Sequence, residues 1–384
     1  MPDPVYTDPG LRHDFVILFD VSDGNPNGDP DAGNLPRVDP ETMHGLVTDV
    51  CLKRKVRNYV LMSRGQNGRA TAGLDIYVKE GSVLNREHQR AYEAKNIEVG
   101  QPKVETVPAE LVKVFVPDDV PAPLPEGFSL EPGEEDSWNL RYSGELDAKE
   151  KKEAVAAIGE SLGKKAKEFC VRVVKGAKSR KAQPEEVKSA QEWMCEQFYD
   201  IRAFGAVLST NINCGQVRGP LQLTFARSID PIVPLDLSIT RVAVTREEDS
   251  GKERGMGRKA LVPYGLYRGY GFFNPFFADK TRFGRADLAL FWDALRLAWD
   301  LDHSASRGMM ALRGLYVFSH ANPLGNAAAH ELFDLFSVAR SNGAEAPRRF
   351  TDYEVRFAGK PLPEEKTLTG GPLPEGVTLT RLVG

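Results

Sequence analysis

Four aspartates in one stretch near the start of the chain have the chemistry to hold a divalent metal ion. They are Asp23, Asp29, Asp31 and Asp39, and hard cations bind through several carboxylate oxygens. The same stretch contains Asp-Gly and Asn-Gly steps together with prolines, which are typical of tight, rigid turns. Three interpretations therefore stand: turn formers, a nucleotide-contacting loop, or a metal site.

Basic side chains follow in a segment with helical periodicity, residues 46–64. They are Lys53, Arg54, Lys55, Arg57 and Arg64. The segment has one acid, Asp49, whereas a solvated helix face normally mixes charges of both signs. Lys53 and Arg57 are one turn apart beside an apolar stripe, so they would face a sheet edge along which a phosphate backbone can run. We predict phosphate contact here.

A second basic region covers residues 241–268, where seven basic residues outnumber four acids by three. The basic residues are Arg241, Arg246, Lys252, Arg254, Arg258, Lys259 and Arg268. Two β-rich segments, residues 238–245 and 258–273, flank a polar tip with glycines, which predicts a long β-hairpin. Met256 lies between two glycines at this tip. It is either an apolar wedge between stacked bases or an incidental side chain on a mobile tip.

The sequence offers little for hydrolytic catalysis. Its six histidines are scattered, and it lacks the motifs of serine hydrolases, zinc peptidases, P-loops and dinucleotide-binding folds. Asp302-His303 and His320 are the best acid–base candidates, without an identifiable partner in the sequence. The four cysteines lie far apart, which is typical of free thiols in a reducing cytosol. An aromatic cluster at residues 264–277 indicates core packing, with one or two rings as stacking candidates.

The elements that must position these groups mix strands and helices. Residues 14–21 form a continuous apolar run that predicts a buried strand before the aspartate-bearing loop. Further strands are predicted at residues 221–227 and 312–318, and an amphipathic helix at residues 285–302. This order predicts an α+β fold with an elaborated ferredoxin-like core, a fold that presents an open sheet face.

The middle of the chain has a different texture. Residues 98–147 are rich in proline and acids, which we interpret as a loosely structured or peripheral subdomain. Helices are predicted at residues 148–171 and 184–198. The basic link between them, residues 175–181, is either a solvated loop or a phosphate contact. Another helix is predicted at residues 327–339.

Bulk composition is that of an ordinary globular protein. The chain has 384 residues, 41% of them hydrophobic, and a formal net charge of -4, so any phosphate-binding surface must be local. No apolar run reaches the roughly 18 residues of a membrane span, and the N-terminus lacks signal-peptide features. We expect a soluble, cytoplasmic protein without membrane contact.

Four blocks occur in a fixed order along the chain. They are FDVSDGNPNGDP at 19–30, VTDVCLKRKVRNY at 47–59, FYDIRAFG at 198–205, and NCGQVRGP at 213–220 followed by FARSIDP at 225–231. In these blocks the sequence resembles the backbone subunit of the type I-C CRISPR Cascade complex, the Csd2/Csh2-like branch of the Cas7 family.

The resemblance implies an RRM-like palm, an inserted fingers subdomain and a long β-hairpin thumb. The implied domains are palm at 1–73, 191–234 and 265–384, fingers at 74–190 with a lineage-specific part at 99–184, and thumb at 235–264. Copies would stack head to tail along a CRISPR RNA and hold its phosphates, while its bases pair with target DNA.

The resemblance also implies a set of RNA-binding residues. They are Asn25, Asn27, Arg37, Lys53, Arg54, Arg57, Arg202, Phe204, Gln216 and Arg218 in the palm, and Arg241, Met256, Arg258, Lys259 and Arg268 in and beside the thumb. Implied partners are CRISPR RNA, target DNA, neighbouring copies, the crRNA-processing endonuclease, the large and small Cascade subunits, and a recruited helicase-nuclease.

The same resemblance implies a protein that is not an enzyme and needs neither metal nor cofactor. The alternative is a metal-dependent endoribonuclease that cuts guide-paired RNA through Asp23, Asp29 or Asp31. A purely structural assembly protein is a third, weaker possibility.

Overall fold

The computed structural model describes residues 3–66, 71–98, 100, 102–117, 120–134, 137–144, 146, 148–175, 177, 180–209, 212–241, 243, 255–341 and 345–384. Two compact units are present. Unit 1 comprises Met1–Ile76, Phe198–Gly205 and Arg218–Gly384, and unit 2 comprises Tyr77–Gln197 and Ala206–Val217. Both contain helices and antiparallel strands, which confirms the predicted α+β class.

Helices and strands are interspersed along the whole described chain. The helices are α1 Asp49–Ser63, α2 Leu84–Ala94, α3 Ala109–Phe115, α4 Ala148–Leu162, α5 Lys164–Lys175, α6 Pro184–Gln197, α7 Tyr199–Phe204, α8 Pro275–Thr281, α9 Arg285–Leu301 and α10 Ala329–Asp334. The strands are β1 His13–Gly24, β2 Gly28–Asp29, β3 Leu35–Pro36, β4 His44–Val47, β5 Lys103–Thr106, β6 Phe128–Pro132, β7 Trp138–Tyr142, β8 Gly205–Ser209, β9 Asn213–Arg218, β10 Leu221–Leu223, β11 Ala226–Pro231, β12 Leu235–Arg241, β13 Gly255–Phe273, β14 Met309–His320, β15 Phe336–Arg340, β16 Tyr353–Phe357, β17 Lys360–Pro361, β18 Thr367–Thr369 and β19 Val377–Val383.

Unit 1 is built on one large antiparallel sheet with the order β18-β19-β14-β1-β13-β11-β4. The apolar run of β1 lies between β13 and β14 and pairs with both. Along the chain, β1, α1, β11, β13, α9 and β14 follow one another with insertions. The N-terminal part of β13 extends beyond β1 and pairs with β12, from Leu235 opposite Leu261 to Arg241 opposite Gly255. A two-stranded ribbon therefore continues from the sheet.

One face of the sheet packs on α1 and α9. Side chains along β1 alternate between the two faces of the sheet, so every second residue of β1 meets these helices. Phe15, Ile17 and Phe19 belong to the same buried core as the apolar sides of these helices. Phe15 lies 5.0 Å from Trp292, and Phe19 lies 4.7 Å from Trp299, between ring centroids. This core fixes α1 against the sheet.

The opposite face of the sheet is covered, although the ferredoxin-like prediction leaves it open. Val16 and Leu18 of β1 are buried in a second core with residues of α10 and β15. The Tyr270 ring stacks on Phe333 with centroids 4.5 Å apart. The prediction of an open face is therefore wrong at these strands, and Tyr270 packs in protein rather than standing free for a base.

Unit 2 has a core of its own. A small antiparallel sheet of order β5-β7-β6 packs with α3, α4 and α5. Phe115, Leu140 and Tyr142 are fully buried there. Of the two alternatives for residues 98–147, a loosely structured segment is therefore wrong for the described part of that range, whereas a peripheral subdomain is not contradicted.

Two predicted helices differ from the observed ones. The helix predicted at 148–171 ends at Leu162, and a second begins at Lys164, because Gly163 takes a φ of 89° that breaks the helix. The helix predicted at 327–339 stops at Asp334 and continues as β15. Within the described part of the chain, no helix is both long and apolar enough to cross a bilayer.

Candidate nucleic-acid interface

The loop after β1 is held by its own asparagines. Asn25 is buried, and its Nδ2 donates to the Asn34 carbonyl oxygen at 2.7 Å. Asn27 Oδ1 accepts from both the backbone nitrogen and the hydroxyl of Thr48 at 2.9 Å. Thr48 in turn caps α1. The positions of Asn25 and Asn27 therefore favour a role in shaping the loop and the start of α1.

The loop aspartates make the contacts of turn formers. Asp29 Oδ1 accepts from the backbone nitrogen of Asp31 at 3.2 Å and pairs with Arg37 at 3.4 Å. Asp39 accepts from Arg227, and this hydrogen bond lowers the pKa of the carboxyl group. Across the described ranges, no group of three His, Cys, Asp or Glu side chains is placed to share a metal ion. These contacts favour the turn interpretation.

Two predicted cations on α1 converge on one aromatic ring. Lys53 Nζ lies 5.7 Å and Arg57 Cζ 5.4 Å from the centroid of Phe204. Lys53 also pairs with Asp49 at 2.9 Å, and Arg57 Nε donates to Asp200 at 2.8 Å. The Phe204 ring is itself buried. It therefore supports the two cations and is not exposed for stacking on a base.

Two more cations share a neighbouring ring. The guanidinium of Arg218 lies 4.8 Å and Lys280 Nζ 5.9 Å from the centroid of Phe277. Arg218 and Lys280 are both exposed. Gly219, which follows Arg218, packs directly on the backbone of Phe204. A Cβ built on Gly219 would lie 2.5 Å from the carbonyl carbon of Phe204. The two pairs are therefore contiguous, and we call Lys53, Arg57, Arg218 and Lys280 with Phe204 and Phe277 the cation–aromatic strip.

Lys280 is a residue that sequence reasoning missed. The sequence indicates Lys280 only weakly as a phosphate contact, because it follows the aromatic residues 264–277 and does not belong to a run of basic residues. The strip carries four cations against the two acids that pair with it, Asp49 and Asp200, which leaves a net charge of +2.

Arg202 is placed differently from the other predicted contacts. It is buried, and its guanidinium donates to both carboxylate oxygens of Asp287 at 3.1 and 2.6 Å and to the Gly73 carbonyl oxygen at 2.6 Å. This bidentate pair joins α7 to the first turn of α9. Its geometry favours a structural role over direct contact with RNA.

The remaining predicted palm residues are dispersed. Arg54 is half-buried on α1, and Arg37 is half-buried with its Nε in no hydrogen bond to the described residues. Gln216 is exposed and belongs to unit 2, where its carbonyl oxygen accepts from Gln191. Arg268 is half-buried and donates to the Phe336 carbonyl oxygen at 3.4 Å, so it packs with the covering layer.

Along the ribbon, the predicted thumb contacts are more exposed. Met256 has 79% of its surface exposed, and the exposed Arg258 pairs with Asp236 across the two strands. Lys259 lies opposite Leu237, and Arg241 ends β12 opposite Gly255. Arg246, Lys252 and Arg254 lie outside the described residues.

The acid–base candidates have structural partners. Asp302 accepts from the buried Lys55 at 3.1 Å and from Asn58 at 3.2 Å. Burial and the nearby positive charge of Arg307 lower the pKa of Lys55 to about 8. His320 lies 2.9 Å from Asp14, and both side chains are buried.

Comparison with known proteins places the sequence in one family. The family model for CRISPR-associated protein Cas7 matches residues 11–118 and 143–358. A CRISPR-associated protein Cas7 from Haloferax volcanii is 37% identical over 86 residues, which span 22% of this chain and 22% of the relative. Similar solved structures include a chain of a CRISPR RNA-guided surveillance complex in a pre-nicking state, with a TM-score of 0.43 and 15% identity over 80% of this chain and 78% of that one. Another is a chain of a CRISPR RNA-guided surveillance complex, with a TM-score of 0.38 and 13% identity over 80% and 75% of the two chains. The family match covers most of the sequence, and the chain belongs to the Cas7 family.

Proposed function

We propose that this protein is a CRISPR RNA-binding backbone subunit of a type I-C Cascade surveillance complex in the cytoplasm. Repeated copies bind the guide along its phosphates and leave its bases to pair with target DNA. The observation that carries the proposal is the cation–aromatic strip in a member of the Cas7 family.

The strip suits phosphate for physical reasons. Lys53 and Arg57 are each 12% exposed, and Asp49 and Asp200 fix their positions. The Nη groups of Arg57 make no hydrogen bond within the described part of the chain, so they remain for an incoming acceptor. A pre-positioned guanidinium suits phosphate because its fork of donors matches two phosphate oxygens.

We assign an RRM-like palm to unit 1. The order β14-β1-β13-β11, with α1 and α9 on one face, supports this assignment because it is the strand order of a ferredoxin-like sheet. Since α10 and β15 cover the other face, the guide would run past the strip and not across the sheet.

The other implied partners follow from the same proposal. The ribbon of β12 and β13 serves as the thumb and contacts a neighbouring copy. The processing endonuclease, the large and small subunits and the recruited helicase-nuclease would complete the complex and its interference step.

Phosphate binding by the strip predicts a specific salt dependence. Each lost contact should reduce the slope of log affinity against log salt by roughly 0.7 for a single strand. Lys53→Ala, Arg57→Ala, Arg218→Ala and Lys280→Ala should each show this in fluorescence anisotropy with a CRISPR RNA. Lys360→Ala, which removes an exposed cation of β17, is the control. Slopes equal to wild type in all four variants would refute RNA binding through the strip.

We also propose that the protein does not cut RNA. The alternative nuclease would use Asp23, Asp29 or Asp31, and a direct assay separates the two. Incubation of guide-bound protein with complementary RNA and Mg²⁺ should leave the RNA intact on a sequencing gel. Specific cuts that disappear with Asp23→Ala, Asp29→Ala or Asp31→Ala would establish the nuclease instead.

A further inference from the structure

Unit 2 contains a cavity of about 510 Å³ that the proposed RNA interface does not use. Its volume lies within the roughly 300–1,000 Å³ range of small-molecule sites. One wall is the outer face of β6 and β7, whose inner face packs in the unit 2 core. The facing walls include Tyr92, Val187 and the stretch from Arg180 to Ala182.

Three polar side chains lie side by side on the β6–β7 wall. Ser129 is directly opposite Arg141 in the strand pairing, and Ser143 follows Arg141 by two residues. Residues in these positions share one face of a sheet. All three line the cavity, so two hydroxyl groups flank one guanidinium there.

Arg141 is the least satisfied cation of the cavity. Its only described acid partner is Glu131, at 3.5 Å, which is too long for a good hydrogen bond. Its Nε is buried and makes no hydrogen bond to the described residues. A buried donor of this kind is unfavourable unless an acceptor reaches it. The guanidinium is therefore suited to an anionic ligand.

The other charged residues of the cavity are largely paired. Arg180 pairs with Glu186 at 2.7 Å, and Lys181 pairs with Glu150. Glu126 also lines the cavity. Three cations and two acids line the cavity, and Glu131 and Glu186, the acid partners of Arg141 and Arg180, lie outside its lining. Tyr92, Leu146 and Val187 add aromatic and aliphatic surface.

We propose that this cavity binds a phosphate monoester of about mononucleotide size. Arg141 would pair with the phosphate group, Ser129 and Ser143 would donate to its oxygens, and the apolar wall would contact the base. Guanidinium and hydroxyl groups are the usual side-chain donors to phosphate.

The test is titration calorimetry of the full chain with AMP, adenosine and inorganic phosphate. AMP should bind at one site, and adenosine should bind at least about 10-fold more weakly, because charge-assisted hydrogen bonds are the strong ones. Arg141→Gln should weaken AMP binding by at least about 10-fold on the same grounds. Inorganic phosphate should bind more weakly than AMP and compete with it.

Matched variants locate the site. Arg172→Gln removes an exposed arginine of α5 in the same unit and should bind AMP like wild type. Ser129→Ala tests the wall without changing charge if Arg141→Gln fails to fold by circular dichroism, and it should also weaken AMP binding. Guide RNA binding should be unaffected in both Arg141→Gln and Ser129→Ala, so this proposal and the RNA proposal can fail separately.

Several outcomes would overturn the proposal. They are no AMP binding at millimolar concentration, equal affinity for adenosine and AMP, and unchanged AMP affinity in Arg141→Gln and Ser129→Ala. Loss of AMP binding in Lys53→Ala instead would place the nucleotide at the strip of unit 1 and refute the cavity.

Discussion

At the residue scale, a buried histidine connects the start of β1 with the end of β14. His13 is fully buried, with Nδ1 2.9 Å from Ser319 Oγ and Nε2 2.8 Å from the Asp8 carbonyl oxygen. Because a carbonyl oxygen only accepts, Nε2 carries the proton of the neutral ring and Nδ1 accepts from the hydroxyl. The neutral ring is therefore fully hydrogen-bonded in its buried site, and burial disfavours the charged form.

Because the His13 ring is buried in its neutral form, we predict that acid lowers the free energy of unfolding through this residue; burial is the main cause. It lowers the pKa of His13 from 6.5 to about 4, with His320 also lowering it and Asp8 and Asp14 opposing the change. Between these two values the unfolded state binds more protons, so the His13 contribution is complete above pH 6.5 and is lost as the pH falls toward 4. The full loss corresponds to about 3 kcal/mol. Urea denaturation from pH 7 to pH 4 measures it.

The matched comparison is between two histidine substitutions. His13→Gln removes the titrating group and should flatten this part of the stability–pH curve, whereas His330→Gln changes a histidine that is not buried and should not. A curve for His13→Gln as steep as that of wild type would assign the acid sensitivity to other groups.

The residue types of the site were predictable, but their pairing was not. Lys53 and Arg57 stand out in the sequence because they are cations beside an apolar stripe. Arg57, however, pairs with Asp200, which is 143 positions away. The bidentate pair of Arg202 and Asp287 could not be predicted from the sequence for the same reason. No local pattern indicates which carboxylate a cation will contact.

At the element scale, the central strand pair depends on a close approach between β1 and β13. Gly271 lies opposite Phe15, and a Cβ at Gly271 would lie 2.1 Å from the Phe15 ring. Phe291 and Trp292 hold that ring from the helix side, at 5.7 and 5.0 Å between centroids. The ring therefore has little room to move away from an added methyl group.

Gly271→Ala should reduce the free energy of unfolding by about 1–3 kcal/mol, as overpacking of a core does. Gly284→Ala is the comparison, since no atom lies within 4 Å of a Cβ there. Gly284 is the N-cap of α9, so that change should cost less than about 1 kcal/mol. Equal losses in the two variants, measured by urea denaturation, would show that the Phe15 contact does not limit this position.

Local patterns predicted β1, α1 and α9 because each has one dominant periodicity. They failed where a distant strand decides the structure. Residues 336–340 continue a helical pattern but pair with β16 as a strand, and that pairing supplies the layer over the sheet. The end of α4 at Gly163 depends on a single left-handed residue, which an amphipathic pattern does not register.

At the scale of the whole molecule, each of the two units contains its own group of basic side chains: the strip in unit 1 and the cavity with Arg141 in unit 2. Unit 1 carries the strip on α1, α7, α8 and the end of β9, and the face of its large sheet away from α1 and α9 is covered by α10 and β15. Unit 2 has its own core and a separate cavity. The proposed role as a backbone subunit requires a surface for RNA and another for a neighbouring copy, and we propose the ribbon of β12 and β13 for the second.

The ribbon has an apolar row suited to contact between copies. Leu235, Leu237 and Ile239 alternate along β12, so they share one face, and they are 39%, 44% and 50% exposed. Contiguous exposed apolar surface commonly marks an interaction site. Because a ribbon that meets a different surface of the next copy makes a heterologous contact, repetition would extend an open filament.

Leu237→Asp should therefore impair assembly without impairing the binding of one copy. On RNA long enough for several copies, the affinity and cooperativity should fall by about 10-fold or more, which corresponds to about 1.4 kcal/mol at the interface. On RNA that holds one copy, the affinity should equal that of wild type. Ser238→Asp introduces the same charge on the opposite face of β12 and should assemble like wild type. Mass photometry on the two RNA lengths measures both steps, and normal assembly by Leu237→Asp would exclude the apolar row from the contact between copies.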